Sequence, residues 1–341
     1  MIHFDCDYMA GAHPEVLKAI TDNNSVQTAG YGCDDFCERA KRLIREACGT
    51  PEADVWFLVG GTQTNSTVID GLLRGTDGVI CTETAHINVH EAGAIEIFGH
   101  KVITLPQHDG RLSATDLRAY LTEFYADETY PHMVAPGAVY ISFSTELGTL
   151  YSLDELRELS AICREYRLPL YVDGARLGHG LAASTDVTLR DIAALADVFY
   201  IGGTKMGALF GEAVVCTNRA LLPRFFTLMK AHGAVMAKGR LLGMQFGALF
   251  TDDLYLRIGR HTVGLAQRLR HTLEAKGYKA FIDSPTNQQF FILPNEAIDR
   301  LLPHVSFEYW GARGETESKV RFVTSWETTE ADIESLAALL N

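Results

Sequence analysis

No run of apolar residues in this 341-residue chain approaches the ~20 that a bilayer-spanning helix requires. The start, MIHFDCDYMAGAHPEV, lacks a signal-peptide layout, so neither membrane nor export is expected. Basic charge is scarce: 30 Lys and Arg stand against 43 Asp and Glu, a formal net charge of −13. That balance argues against nucleic acid or an anionic membrane as a partner. The cysteines include no CxxC pair; the seven (Cys6, Cys33, Cys37, Cys48, Cys81, Cys163, Cys216) are odd in number and scattered. Reduced thiols in the cytoplasm suit this set better than a disulfide framework or a zinc knuckle. The common nucleotide fingerprints are missing too, with no G-x-x-x-x-G-K-[ST] and no G-x-G-x-x-G between strand and helix. Internal repeats and low-complexity segments are absent. What is present is ordinary globular material, 47% hydrophobic and 21% charged, enough for a large core and two domains.

Up to about residue 217, short apolar runs alternate with helix-length amphipathic segments. HPEVLKAITDNN has Pro14 at a first-turn position, and DDFCERAKRLIREACG keeps helical spacing and ends in Gly49. VWFLVGG, GVICTE, KVITLP, AVYISF, LPLYVDG, DVFYIGG and EAVVC are short, bounded and rich in β-branched or aromatic residues. They predict strands, several too apolar to face water on either side. SLDELRELSAICREYR and TLRDIAALA fill gaps as helices, so an α/β domain with a largely parallel sheet is expected. After residue 220 comes a long amphipathic helix, LYLRIGRHTVGLAQRLRHTLEAKG, closed by Gly277. QQFFILP, SFEYWG and KVRFVTSW predict strands, with NEAIDRLLPHV helical, and Thr329 with Asp332 caps a last helix. The expected division is an arm at 1–10, a large domain at 11–235 and a smaller α+β domain at 236–341.

Four features carry chemistry. HINVHE sets His86 and His90 four apart, but no third metal ligand follows at a usable spacing, so no metal is expected. In VWFLVGGTQTNSTVIDGLL a buried strand runs into Gly60-Gly61-Thr62 and a helix begins at once. Its free N–H groups, with Thr62, Gln63 and Thr64, make an anion site; the same residues also describe a tight βα turn with a Thr cap. In LPLYVDGARLG, Asp173 ends an apolar strand where open α/β sheets place their ligand crevice, and Arg176 follows three residues later. In DVFYIGGTKMGALFGEAVV, Lys205 stands between two core-like runs, although lysine is among the costliest residues to bury. Anion cradle, strand-end carboxylate and strand-end lysine together describe a pyridoxal 5′-phosphate site. Lys205 would form the Schiff base and Asp173 would hold the pyridine nitrogen protonated. Gly202 and Gly203 are expected to leave room for the cofactor.

These motifs resemble the threonine aldolase and aromatic amino acid β-eliminating lyase family of fold-type-I pyridoxal phosphate enzymes, essentially end to end. LVGGTQTN is similar to the family's phosphate turn at Gly61, Thr62 and Asn65. TAHINVHEAGA resembles the segment whose histidine stacks on the pyridine ring, which implies that role for His86. DGAR matches outright, so Arg176 would bind the substrate carboxylate, and Arg321 matches the family's second carboxylate ligand. His132 in YPHM lies near a catalytic histidine that contacts the substrate hydroxyl. FDCDYM departs from Arg-Ser-Asp-Thr, so Cys6 replaces a carboxylate-contacting serine. TELGTLY stands where many aldolases read Asn-Thr-His, Ser325 where histidine is common, and Lys238 near a usual arginine.

The resemblance implies cleavage of a β-hydroxy-α-amino acid, threonine or allo-threonine, to glycine and an aldehyde. It also implies a homotetramer built as a dimer of dimers. The alternatives are a β-eliminating lyase releasing pyruvate and ammonia, and a catalytically silent homologue.

Overall fold

The protein is described by a computed structural model covering residues 1–340. Helix α1 (Pro14–Asp22) starts at proline, where the missing N–H costs nothing. Helix α2 (Asp35–Cys48) takes Asp34 as its N-cap and ends at Gly49 with φ 68°, the left-handed geometry glycine tolerates. Seven strands follow in the order expected: β1 (Asp54–Leu58), β2 (Asp77–Thr82), β3 (Lys101–Leu105), β4 (Ala135–Ser142), β5 (Leu170–Asp173), β6 (Val198–Gly202) and β7 (Glu212–Cys216). Helix α3 (Gly61–Leu72) lies between β1 and β2.

They form one sheet in the order β1-β7-β6-β5-β4-β2-β3. Only β7 runs antiparallel to its neighbours. Since β7 is antiparallel to both β1 and β6, those two point the same way. The C-terminal ends of β1, β2, β4, β5 and β6 therefore open on one edge. Alternate residues feed two cores: Val139, Ile141, Phe199 and Ile201 face one, Ala138, Tyr140, Tyr171 and Tyr200 the other. A sheet covered on both faces explains the near-continuous apolar strands.

The smaller unit holds β8 (Lys279–Ala280), β9 (Gln288–Pro294), β10 (Glu308–Tyr309) and β11 (Glu317–Val323), antiparallel in the order β8-β9-β11-β10. SFEYWG is not one strand: Val305–Ser306 pairs in parallel with Ile2–His3 of the arm, and Glu308–Tyr309 joins β11. A division at 236 also separates residues that pack together. Helix α4 (Arg240–Leu249) lies against α1 and α2 in the large core. Within α5 (Leu254–Ala275) the packing changes partner, Leu254 to Ile258 joining the large core and Leu265 to Leu273 the small one. Phe4 of the arm belongs to the small core. Among the described residues, no helix is long and apolar enough to cross a membrane.

Candidate active site

The strand ends surround a cavity of about 350 Å³, within the ~300–1,000 Å³ range of small-molecule sites. Gly60, Gly61, Thr62, His86, Asp173, Arg176 and Lys205 all line it, brought together from four separate strand ends. Gly60 opens α3 with no side-chain cap, and the first helical bond is Thr64 N–H to the Gly60 carbonyl at 3.0 Å. The N–H groups before Thr64 therefore remain available to an anion. A Cβ at Gly60 would meet nothing within 4 Å, so this glycine borders open space. Gln63 is placed differently: its amide turns to the His232 carbonyl at 3.5 Å, and it does not line the cavity.

Gly202 and Gly203 serve the backbone rather than the cavity. A Cβ at Gly202 would lie 2.5 Å from the Ala175 carbonyl, and one at Gly203 2.7 Å from that of Gly211. Close chain approach requires both glycines. The turn they enter carries the half-buried Lys205, whose amine lies 5.8 Å from the centre of the Tyr8 ring and has no hydrogen bond or ion pair among the described residues. Burial, then the Arg176 charge, pushes its pKa below the ordinary lysine value.

Four donors converge on the Asp173 carboxylate. Ala175 N–H and the Tyr200 hydroxyl reach Oδ1 at 2.9 and 2.5 Å, while Asn65 Nδ2 and the Tyr140 hydroxyl reach Oδ2 at 2.9 and 2.7 Å. Tyr171 in turn donates to Asn65 Oδ1 at 2.8 Å. The signal for these partners is a single tyrosine in each of β4, β5 and β6, because a buried hydroxyl needs a partner. Sequence reasoning passed over it by counting tyrosine as a strand former.

His86 Nδ1 lies 2.7 Å from Glu91 Oε1, and Glu91 also accepts from Asn65 at 2.8 Å. His90 is only its ring neighbour at 5.6 Å, and no cluster of three metal-ligand side chains occurs among the described residues. Glu146, within the departing TELGTLY, accepts from the His86 N–H at 3.0 Å and the Ser142 hydroxyl at 2.7 Å. Burial pushes its carboxyl above the usual range, and pushes that of Glu212 up to about 8. Both line the cavity and went unremarked in the sequence.

The remaining predicted residues divide. Arg176 lines the cavity but gives Nε and Nη2 to Asp7 of the arm, at 2.8 and 3.0 Å. Arg321 on β11 is buried and bonds Gln288 at 2.8 Å and also Glu308. Cys6 is half-buried beside Asp7 and does not line the cavity. His132 ends an exposed turn (Tyr130–His132) and is not among the cavity residues.

His179, fully buried beside this cluster, has its pKa pushed down to about 4 by burial. The unfolded chain then binds the proton that the folded chain refuses, so this group lowers stability as pH falls from about 6.5 towards 4. Glu212 acts with the opposite sign, so only a difference isolates the histidine. Urea unfolding of the wild type relative to His179→Gln should show about 2 kcal/mol lost between pH 7 and pH 5. Parallel pH dependence in the two proteins would contradict it.

Comparison with known proteins places the chain in a family. Residues 4–294 match the family model of beta-eliminating lyases. A low specificity L-threonine aldolase of Pseudomonas sp. is 32% identical over 340 residues, 98% of this chain and 96% of that protein. Its counterpart in Pseudomonas aeruginosa is 31% identical, over 98% and 95%. A Leishmania major threonine aldolase structure superposes with a TM-score of 0.96 at 43% identity, covering 100% of this chain and 98% of that one. A histidinol-phosphate aminotransferase of Clostridium acetobutylicum, 12% identical with a TM-score of 0.74, shares the fold alone. The doubly wound sheet with its smaller α+β unit is thus the fold-type-I architecture, and the chain belongs to the beta-eliminating lyase family.

Proposed function

We propose that the chain is a pyridoxal phosphate-dependent aldolase that cleaves threonine or allo-threonine to glycine and acetaldehyde. The observation that carries the reading is Lys205, an amine with no hydrogen bond or ion pair among the described residues, in one cavity with an open helix start and Asp173. Near full-length similarity to threonine aldolases supports the reaction class.

The cavity's own chemistry fits the cofactor. Gly60 leaves the space a phosphate needs, and the start of α3 with Thr62 supplies donors. The buried Ser144 hydroxyl and Glu91 Oε2 lack partners among the described residues, and both residues line the same cavity. Asp173 would hold the pyridine N–H in place of one tyrosine hydroxyl, which can turn on its C–O bond. His86 would lie against the ring, and Lys205 Nζ would take the aldehyde. Bound there, the cofactor supplies an electron sink for the bond broken at Cα.

The protein's own groups do the rest. Arg176, through Nη1, and Arg321 would hold the substrate carboxylate and so orient the scissile bond. In the neutral ring, a Glu91 carboxylate accepting Nδ1–H would leave His86 Nε2 as the lone pair that accepts the β-hydroxyl proton. This assigns to His86 the role that sequence position suggested for His132.

The assembly that goes with this reading is a homotetramer, a dimer of dimers. Exposed Met9, Val89 and Leu209, each close in sequence to cavity residues, suit burial against another copy. Seven free thiols suit a reducing compartment such as the cytoplasm.

The test is product analysis. The protein loaded with pyridoxal phosphate should release glycine and acetaldehyde from threonine. Serine, cysteine and tyrosine are assayed alongside for pyruvate. Pyruvate without glycine would overturn the aldolase in favour of a β-eliminating lyase, and cofactor binding with no turnover would favour a silent homologue.

A further inference from the structure

The arm carries a carboxylate that the reaction scheme above leaves unused. Asp7 is fully enclosed, and each of its oxygens is engaged. Arg176 Nε–H donates to Oδ2 at 2.8 Å and Nη2–H to Oδ1 at 3.0 Å, a two-pronged pair. Asn287 Nδ2 adds a third bond, to Oδ2 at 2.9 Å. Burial alone would raise this carboxyl's pKa, but Arg176, Lys205 and His179 outweigh it and hold it below the usual range.

Asp7 is also held from behind. Phe4 N–H donates to the Ser306 carbonyl at 2.9 Å, and Val323 N–H donates to the Phe4 carbonyl at 2.8 Å. Val323 ends β11, the strand that carries Arg321. Asn287 donates its second amide hydrogen to the Thr324 carbonyl at 3.0 Å, and Thr324 Oγ1 donates to the Thr262 carbonyl at 2.7 Å. Asp7 therefore hangs from the small unit and grips an arginine of the large one.

The pair uses two of the five guanidinium N–H groups of Arg176. Nη1 keeps no partner among the described residues, on a side chain that lines the cavity. A substrate carboxylate cannot take the Nε edge that Asp7 occupies, so it must meet the outer edge, formed by Nη1 and the second hydrogen of Nη2.

We propose that Asp7 is a positioning residue: it locks Arg176 so that Nη1 faces the substrate carboxylate, in fixed relation to Arg321. The proposal rests on reading Arg176 as a carboxylate ligand. The opposite role, a carboxylate that competes with substrate for Arg176, predicts the opposite change in affinity.

The experiment compares wild type, Asp7→Asn, Arg176→Lys and the double variant, all loaded with pyridoxal phosphate. Threonine KM and kcat are measured together with glycine affinity from the spectral change on binding. Asp7→Asn should raise threonine KM and glycine Kd by about tenfold or more, with a smaller fall in kcat. Adding it to Arg176→Lys should cost little further, because both act through one group. An unchanged or lowered KM in Asp7→Asn, or fully additive losses, would overturn the proposal. Should Asp7→Asn fail to fold, Asn287→Ala carries the test: a smaller rise in KM upholds the proposal and an unchanged KM defeats it. Glycine affinity reads the carboxylate grip without turnover, so a wild type that binds glycine but leaves threonine intact fails the aldolase reading alone.

Discussion

Lys205→Ala is expected to abolish covalent cofactor attachment and to lower threonine cleavage by about a thousandfold or more. The wild type mixed with pyridoxal phosphate should show a visible absorption band. After borohydride treatment, the peptide containing Lys205 should carry the cofactor's mass. The physical reason is the state of the amine. Burial and the Arg176 charge lower its pKa, which enlarges the uncharged fraction able to attack a carbonyl carbon. The same shift gives a control. A base whose pKa is depressed by folding destabilises the folded state wherever the unfolded chain is protonated. Near pH 7 the cofactor-free Lys205→Ala protein should therefore unfold at no lower urea concentration than wild type. A coloured, borohydride-trapped Lys205→Ala protein would remove the lysine from the chemistry. A colourless but unfolded variant would leave the control unmet and return the question to Lys205→Met.

Asp173→Ala should have the largest effect on stability and on activity together. It takes the acceptor from the part-buried Ala175 N–H at the cavity wall, from the buried Asn65 Nδ2 and from two buried tyrosine hydroxyls. Asn65 keeps its bond to Glu91, and Tyr140 has Ser142 within 3.3 Å. Tyr200 and the backbone N–H are then left unpaired. A stranded buried donor costs about 1–3 kcal/mol and the part-buried Ala175 N–H less, so a loss of about 2–4 kcal/mol is expected in urea unfolding of the cofactor-free protein. Asp173→Asn keeps the volume and one acceptor oxygen, so it should fold better. It should still lose about a hundredfold in turnover, because a neutral amide cannot hold the pyridine nitrogen protonated. Wild-type urea stability in Asp173→Ala would show that the four bonds contribute little.

Much of this site was legible because its pieces follow strand ends. Thr62 after β1, His86 after β2, Asp173 ending β5 and Lys205 after β6 all stand where a parallel sheet exposes its C-terminal edge. Local chemistry also marked some helix boundaries: Gly49 ends one helix, and Thr329 with Asp332 caps the last. Where a residue's role depended on direction rather than position, the reading failed. Gln63 belongs to the expected turn, yet its side chain points to His232. Gly202 and Gly203 sit beside Lys205, yet they make room for backbone. Position near a motif does not specify which way a side chain leaves the chain.

The sequence by itself determined the order of the large sheet's strands along the chain, its two-sided burial and the residues at its open edge. Each of these follows from periodicity and capping within a few residues of chain. Only the tertiary structure decided what meets across long separations. It set Asp7 against Arg176, gathered three tyrosines and Asn65 around Asp173, and left His132 on an exposed turn. Those contacts arise when two cores and an arm pack together. Their geometry is fixed by close packing and by the need to pair every buried polar group, and neither leaves a local pattern in the chain.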